Sequence, residues 1–256
     1  MANIRVLILG GTSEARGLAQ ALSGKAGFDI LLSLAGRTEK PSSQPVPVHI
    51  GGFGGAEGLA SFLRDGKFHL LVDATHPFAT RISANAEEAA RLSGIAAFAL
   101  RRPEWVQQPN DHWFVANSIP QAITALGSVP RRVFLATGRQ EAHCAEVAPQ
   151  HFYLVRSVDP VTPPLDVPNV EYILERGPFD LDSEIALLKR HRIDAIVAKN
   201  SGGAATYAKI EAARRLGIEV CIVARAAAPA VMTVETVDEA LGAIDHLFPP
   251  AMERGV

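Results

Sequence analysis

The chain opens on Ile4-Arg5-Val6-Leu7-Ile8-Leu9, breaks into Gly10-Gly11, and resumes at once with Thr12-Ser13-Glu14-Ala15. A short apolar run without polar alternation reads as a strand buried on both faces, the condition of a parallel sheet covered by helices. Glycines followed by hydroxyl residues stop that strand and start a helix. A strand of this kind needs parallel neighbours, and candidates recur along the chain. They are Ile30–Leu34, Val46–Ile50, Leu70–Val72, Ala96–Leu100, Val133–Leu135, Phe152–Val155, Ile193–Ala198 and Val220–Val223. Between them lie amphipathic stretches at Ser13–Ser23, Ala56–Arg64, Ala79–Ser93, Pro120–Leu126, Leu181–Arg190, Ala204–Leu216 and Val237–Leu247. The pattern predicts an α/β chain with mainly parallel sheets.

Two βα series fit, at the usual ~100–150 residues per domain. The polar, proline-bearing stretch Arg101 to Asp111 reads as their join, giving a first domain over residues 1–108 and a second over 109–248, with 249–256 a frayed tail. Asp159-Pro160-Val161-Thr162-Pro163-Pro164 reads as a loop in the second half, because successive prolines remove backbone donors. The chain has 256 residues, 48% hydrophobic and 20% charged, enough apolar material for two modest cores. A net charge of −2 provides no basic field, which argues against nucleic acid or an anionic membrane as main partner. No signal segment or membrane span is read from the start of the chain, so the expectation is a cytoplasmic protein. Cys144 and Cys221 stand far apart without metal-ligand spacing and read as reduced core residues, so no metal is expected.

The first turn is suited to a dinucleotide. A helix N-terminus offers unpaired N–H groups and a positive dipole end to a pyrophosphate. Gly10 to Ala15 follows the spacing of the Rossmann fingerprint G-x-G-x-x-A, with Thr12 where the second glycine would be. Gly10, Gly11, Thr12 and Ser13 are therefore candidate coenzyme contacts. The second strand ends at Leu34-Ala35-Gly36-Arg37, where a Rossmann domain meets the adenosine ribose. An arginine there accommodates a 2′-phosphate, so Arg37, with Lys40 behind it, points to NADPH. Glu14 sets a puzzle, because a carboxylate beside a pyrophosphate is repelled. Either it points away, or Arg16 and neighbouring cations compensate it, or the coenzyme sits in the second domain.

Leu71-Val72-Asp73-Ala74-Thr75-His76-Pro77 ends another strand in polar residues, and open parallel sheets bind ligands at such carboxyl ends. Asp73, Ala74, Thr75 and His76 are expected near the nicotinamide, with Pro77 in the first turn of the next helix. His76 is read as lining the site; the proton donor, and with it any catalytic side chain, stays open. Gly51-Gly52-Phe53-Gly54-Gly55 is read mainly as turn geometry. In the second half, Arg139, Arg156 and Lys199 each follow a strand end. Together with Asn200, Ser201, Gly202 and Tyr207, they are expected to form a cationic site for a substrate carrying several carboxylates.

The chain resembles the precorrin-6A reductases of cobalamin biosynthesis. The likeness rests on Leu9 to Ala15, Val72 to Ala79, Ala136-Thr137-Gly138-Arg139, Arg176-Gly177-Pro178-Phe179, and Ala198 to Gly203 with Thr206-Tyr207-Ala208-Lys209, and it spans most of the chain. It implies two Rossmann-like domains with an interdomain cleft, and NADPH-dependent reduction of one double bond of the precorrin-6A tetrapyrrole to give precorrin-6B. It leaves the oligomeric state open. Two other classes share the layout: another NADPH-dependent reductase of an unsaturated carboxylated small molecule, and a non-catalytic NADPH-sensing module.

Overall fold

The computed structural model describes residues 3–36, 43–227 and 230–249. The chain divides into two compact units, one running up to Arg102 and resuming at Ala226, the other Pro103–Arg225. The first unit begins with β1 (Ile4–Leu9), α1 (Ser13–Ser23), β2 (Phe28–Leu34), β3 (Val48–Ile50), α2 (Gly55–Asp65), β4 (Leu70–Asp73), α3 (Thr80–Ser93) and β5 (Ala96–Leu100). The second contains β6 (His112–Ala116), α4 (Ile119–Ala125), β7 (Arg132–Ala136), a 3-10 turn at Ala142–Val147, β8 (Phe152–Ser157), β9 (Val170–Leu174), α5 (Leu181–Arg190), β10 (Ala195–Lys199), α6 (Ala208–Leu216) and β11 (Glu219–Val223). The chain then returns to the first unit with β12 (Thr233–Val234) and α7 (Val237–Leu247).

The return corrects the expected boundaries at 108 and 248. Ala99 N donates to Met232 O at 2.8 Å and Arg101 N to Val234 O at 2.8 Å, which adds β12 to the edge of the first sheet. Ala240 and Ile244 of α7 are buried with Leu18 and Leu22 of α1, so the last helix completes the first core. Of the tail expected at 249–256, residues 250–256 lie outside the described residues.

The first sheet has the order β12-β5-β4-β1-β2-β3 and the second β6-β11-β10-β7-β8-β9. Every strand pairing among the described residues is parallel. Both orders reduce to the doubly wound 3-2-1-4-5-6 pattern. In each, the sixth strand comes from beyond the unit's own βα series: β6 follows β5 in sequence but pairs with β11, and β12 follows β11 but pairs with β5.

The apolar runs are continuous because both sheet faces are covered. In β1, Val6 and Ile8 enter the core under α1 and α7, while Leu7 and Leu9 enter the one under α2 and α3. In the second unit Phe134, Leu154, Ile196 and Ile222 share a core with α5 and α6. The three strands absent from the sequence reading, β6, β9 and β12, are all sheet edges. β9 is exposed or half-buried along its whole length although four of its five residues, Val170, Tyr172, Ile173 and Leu174, are apolar. No helix among the described residues is long and apolar enough to cross a membrane.

Candidate functional site

In the first unit the strand order reverses between β1 and β4, and open α/β sheets take ligands at the carboxyl ends flanking such a reversal. Those ends are Gly10–Ser13 and Ala74–His76. Gly10 is closely packed, since a Cβ there would lie 2.7 Å from Leu32 Cδ1 and would have to displace the end of that side chain. Gly11 has φ +116°, and a Cβ there would meet none of the described residues within 4 Å, so no described side chain covers the backbone at that point.

Thr12, the departure from the fingerprint, has two bonds. Its Oγ1 accepts from Ala15 N at 3.1 Å, capping α1, and donates to Ala74 O at 2.7 Å. The hydroxyl thus ties the two halves of the crevice together, which a glycine could not do.

Glu14 is compensated, but not by Arg16. Arg102 Nη1 donates to Glu14 Oε2 at 2.8 Å in a pair only 13% and 20% exposed. Asp73 is buried: its Oδ1 accepts from Thr75 N at 3.1 Å and Thr75 Oγ1 at 2.6 Å, and Arg101 lies 3.5 Å from Oδ2 while donating to Ser83 Oγ at 2.7 Å. Asp73 and Thr75 therefore hold the β4 turn in shape. His76 Nδ1 accepts from Phe78 N at 3.3 Å, which puts the proton of the neutral ring on Nε2. Pro77 is not in the helix: α3 begins at Thr80 with Ala79 as N-cap, two residues beyond it. Arg37 and Lys40 lie outside the described residues. Arg101 and Arg102 fall in the stretch that reads from sequence as the join; their signal is a pair of cations directly after an apolar strand.

In the second unit the reversal falls between β7 and β10, flanked by Thr137-Gly138-Arg139 and Lys199-Asn200. Lys199 Nζ donates to Glu141 Oε2 at 2.6 Å, and Arg139 lies 3.8 Å from Asp159. Both stay at the crevice with acidic partners. Arg156 does not. It is 6% exposed, paired through both Nη atoms with buried Glu184, and its guanidinium lies 3.7 Å from the Phe179 ring centroid and 4.7 Å from that of Phe134. The guanidinium is thus held within the unit by Glu184 and two aromatic rings, where a free substrate-facing cation is expected from the sequence.

Asn200, Ser201, Gly202 and Tyr207 also make contacts within the unit. Asn200 accepts from Trp105 N at 2.8 Å and donates to Trp105 O at 3.0 Å, clamping the segment where the unit begins. Arg225, where the unit ends, donates to Asn200 O and Ser201 O, both at 2.9 Å. A Cβ on Gly202, at φ +68°, would lie 2.0 Å from Pro103 O. Tyr207 packs on Trp105, and its hydroxyl accepts from Arg214. Among the described residues no group of three or more His, Cys, Asp or Glu could hold a metal ion. Burial pushes the Cys221 thiol up to about 12, with Glu219 adding to it.

Residues 5–245 match the family described as Precorrin-6x reductase CbiJ/CobK. A precorrin-6A reductase from Sinorhizobium sp is 60% identical over 96% of this chain and 95% of its own length. That from Rhodobacter capsulatus is 44% identical over 98% and 99%. The chain belongs to the precorrin-6x reductase family. A solved structure titled CobK precorrin-6A reductase superposes with a TM-score of 0.92 at 42% identity, covering 99% of this chain and 100% of that one. Precorrin-6x reductases are oxidoreductases of cobalamin biosynthesis that need a nicotinamide cofactor.

Proposed function

We propose that this chain reduces one double bond of precorrin-6A to give precorrin-6B, with NADPH as the reductant. The observation that carries this reading is the 60% identity to a precorrin-6A reductase across nearly the whole length of both chains. The first switch point is the proposed coenzyme site. Its open backbone at Gly11 and its neutralised Glu14 fit a pyrophosphate, and Arg37 is the residue assigned to the 2′-phosphate.

NADPH, when bound, supplies the hydride. What the chain supplies is placement: Gly10, Gly11 and Ser13 present backbone to the phosphates, Thr12 fixes the turn, and the Asp73–Thr75 pair holds Ala74 and His76 beside it. In the second unit Arg139 and Lys199 are the cations proposed for the acetate and propionate arms, exchanging Asp159 and Glu141 for substrate carboxylates. A diffusible coenzyme and a polycarboxylate substrate fit a reaction in the cytoplasm. Anaerobic incubation with precorrin-6A and NADPH tests the reading. It expects coenzyme oxidation matched by a gain of two hydrogens in the tetrapyrrole, and NADPH left intact would overturn it.

A further inference from the structure

The two switch points differ in one respect that bears on ligand recognition. In the first unit the threonine that follows the central strand has its hydroxyl bonded on both sides, to Ala15 N and Ala74 O. In the second, β7 ends at Ala136, in register with Ala198 of β10, so the next residues on the two strands are Thr137 and Lys199. Thr137 is 5% exposed, and its Oγ1 has no hydrogen-bond partner among the described residues. Buried hydroxyls almost always have one. Gly138 follows at φ +85°, and a Cβ there would meet none of the described residues within 4 Å, so among them there is room beside the turn.

Three of the other buried polar atoms in the same condition stand elsewhere in the strands or already have a bond through the same side chain, and Gln44 precedes β3. His49 lies mid-strand in β3, Trp113 lies in the edge strand β6, and Arg101 already donates to Ser83 through Nη2.

We propose that Thr137 Oγ1 donates a hydrogen bond to a substrate carboxylate, beside the ammonium of Lys199, and that this contact helps the second unit select the tetrapyrrole. The proposal rests on the reading that the second switch point holds the acidic arms of the macrocycle. A hydroxyl suits such a partner, because an O–H to a carboxylate is a short, charge-assisted bond that needs no counter-ion of its own.

Thr137→Val removes the hydroxyl while keeping the branched shape. The expected result is a roughly tenfold rise in KM for precorrin-6A, the loss of one charge-assisted bond, with KM for NADPH unchanged. The melting temperature without ligands stays level or rises, since an unbonded buried hydroxyl contributes nothing to the fold, and Thr137→Ser restores the KM. An unchanged KM for precorrin-6A overturns the proposal, and a lowered melting temperature beside it assigns the hydroxyl to the fold. Lys199→Ala, measured in parallel, separates the two levels. If it raises the tetrapyrrole KM while Thr137→Val does not, the inference fails and the site stands. If both raise the KM for NADPH instead, the assignment of the second unit fails.

Discussion

Arg102 donates from Nη1 to Glu14 Oε2 at 2.8 Å, so the acidic side chain in the first turn of α1 has its own counter-charge. The pair is mostly buried, where an unpartnered carboxylate is costly and would repel a pyrophosphate. Arg102→Ala is expected to raise the KM for NADPH about tenfold, and Glu14→Gln on that background to recover most of the loss. Steady-state kinetics of the two single variants and the double variant check this as a cycle. Additive effects would mean the two side chains act separately.

Thr12→Ala removes both the cap on Ala15 N and the bond to Ala74 O. Loss of a cap and of a bridging hydrogen bond should together cost about 1–2 kcal/mol in urea unfolding. Thr12→Ser, which keeps the oxygen, should cost much less.

Asn200→Ala should act on stability before it acts on catalysis. Both polar atoms of the side chain bond the backbone of Trp105, and losing them leaves buried groups unmatched, at about 1–3 kcal/mol. Denaturation midpoints should fall while KM for precorrin-6A, measured on folded enzyme, stays near its original value. A large KM effect at unchanged stability would return Asn200 to the substrate site.

Arg37→Ala should erase much of the preference for NADPH over NADH, by about ten- to a hundredfold for one lost charge-assisted contact. The ratio of kcat/KM for the two coenzymes is the readout. An unaltered ratio removes Arg37 from the coenzyme.

His151 is buried and its Nδ1 accepts from Arg131 N at 3.1 Å, an arrangement that requires the neutral ring. Burial, with Arg131 adding to it, lowers its pKa below the ordinary 6.5. The unfolded chain then binds more protons in acid than the folded one. The stability tied to His151 is therefore complete above pH 6.5 and lost as pH falls toward the lowered value. Melting temperatures should decline below that pH, and His151→Asn, which keeps an acceptor but does not titrate, should show a flatter acid limb.

What was legible in the sequence was local. The β1 turn, α1, α5, α7 and the parallel α/β character follow from apolar runs, caps and glycines within a few residues of one another. What was not legible depended on partners far along the chain. Thr12 is explained by Ala74, Glu14 by Arg102, and Arg156 by Glu184, pairs separated by 62, 88 and 28 residues. A cation at a strand end looks the same in sequence whether it faces a ligand or a buried carboxylate. The edge strands escaped for a related reason: β12 is two residues long, and only its pairing with β5 makes it a strand.

In the proposed reaction, hydride passes directly from the nicotinamide to the macrocycle. Incubating the enzyme with precorrin-6A and NADPH deuterated at both C4 positions, then weighing the tetrapyrrole, tests it most directly. Each product molecule is expected to gain one deuterium from the coenzyme and one proton from solvent. A reduced tetrapyrrole with no deuterium would contradict it.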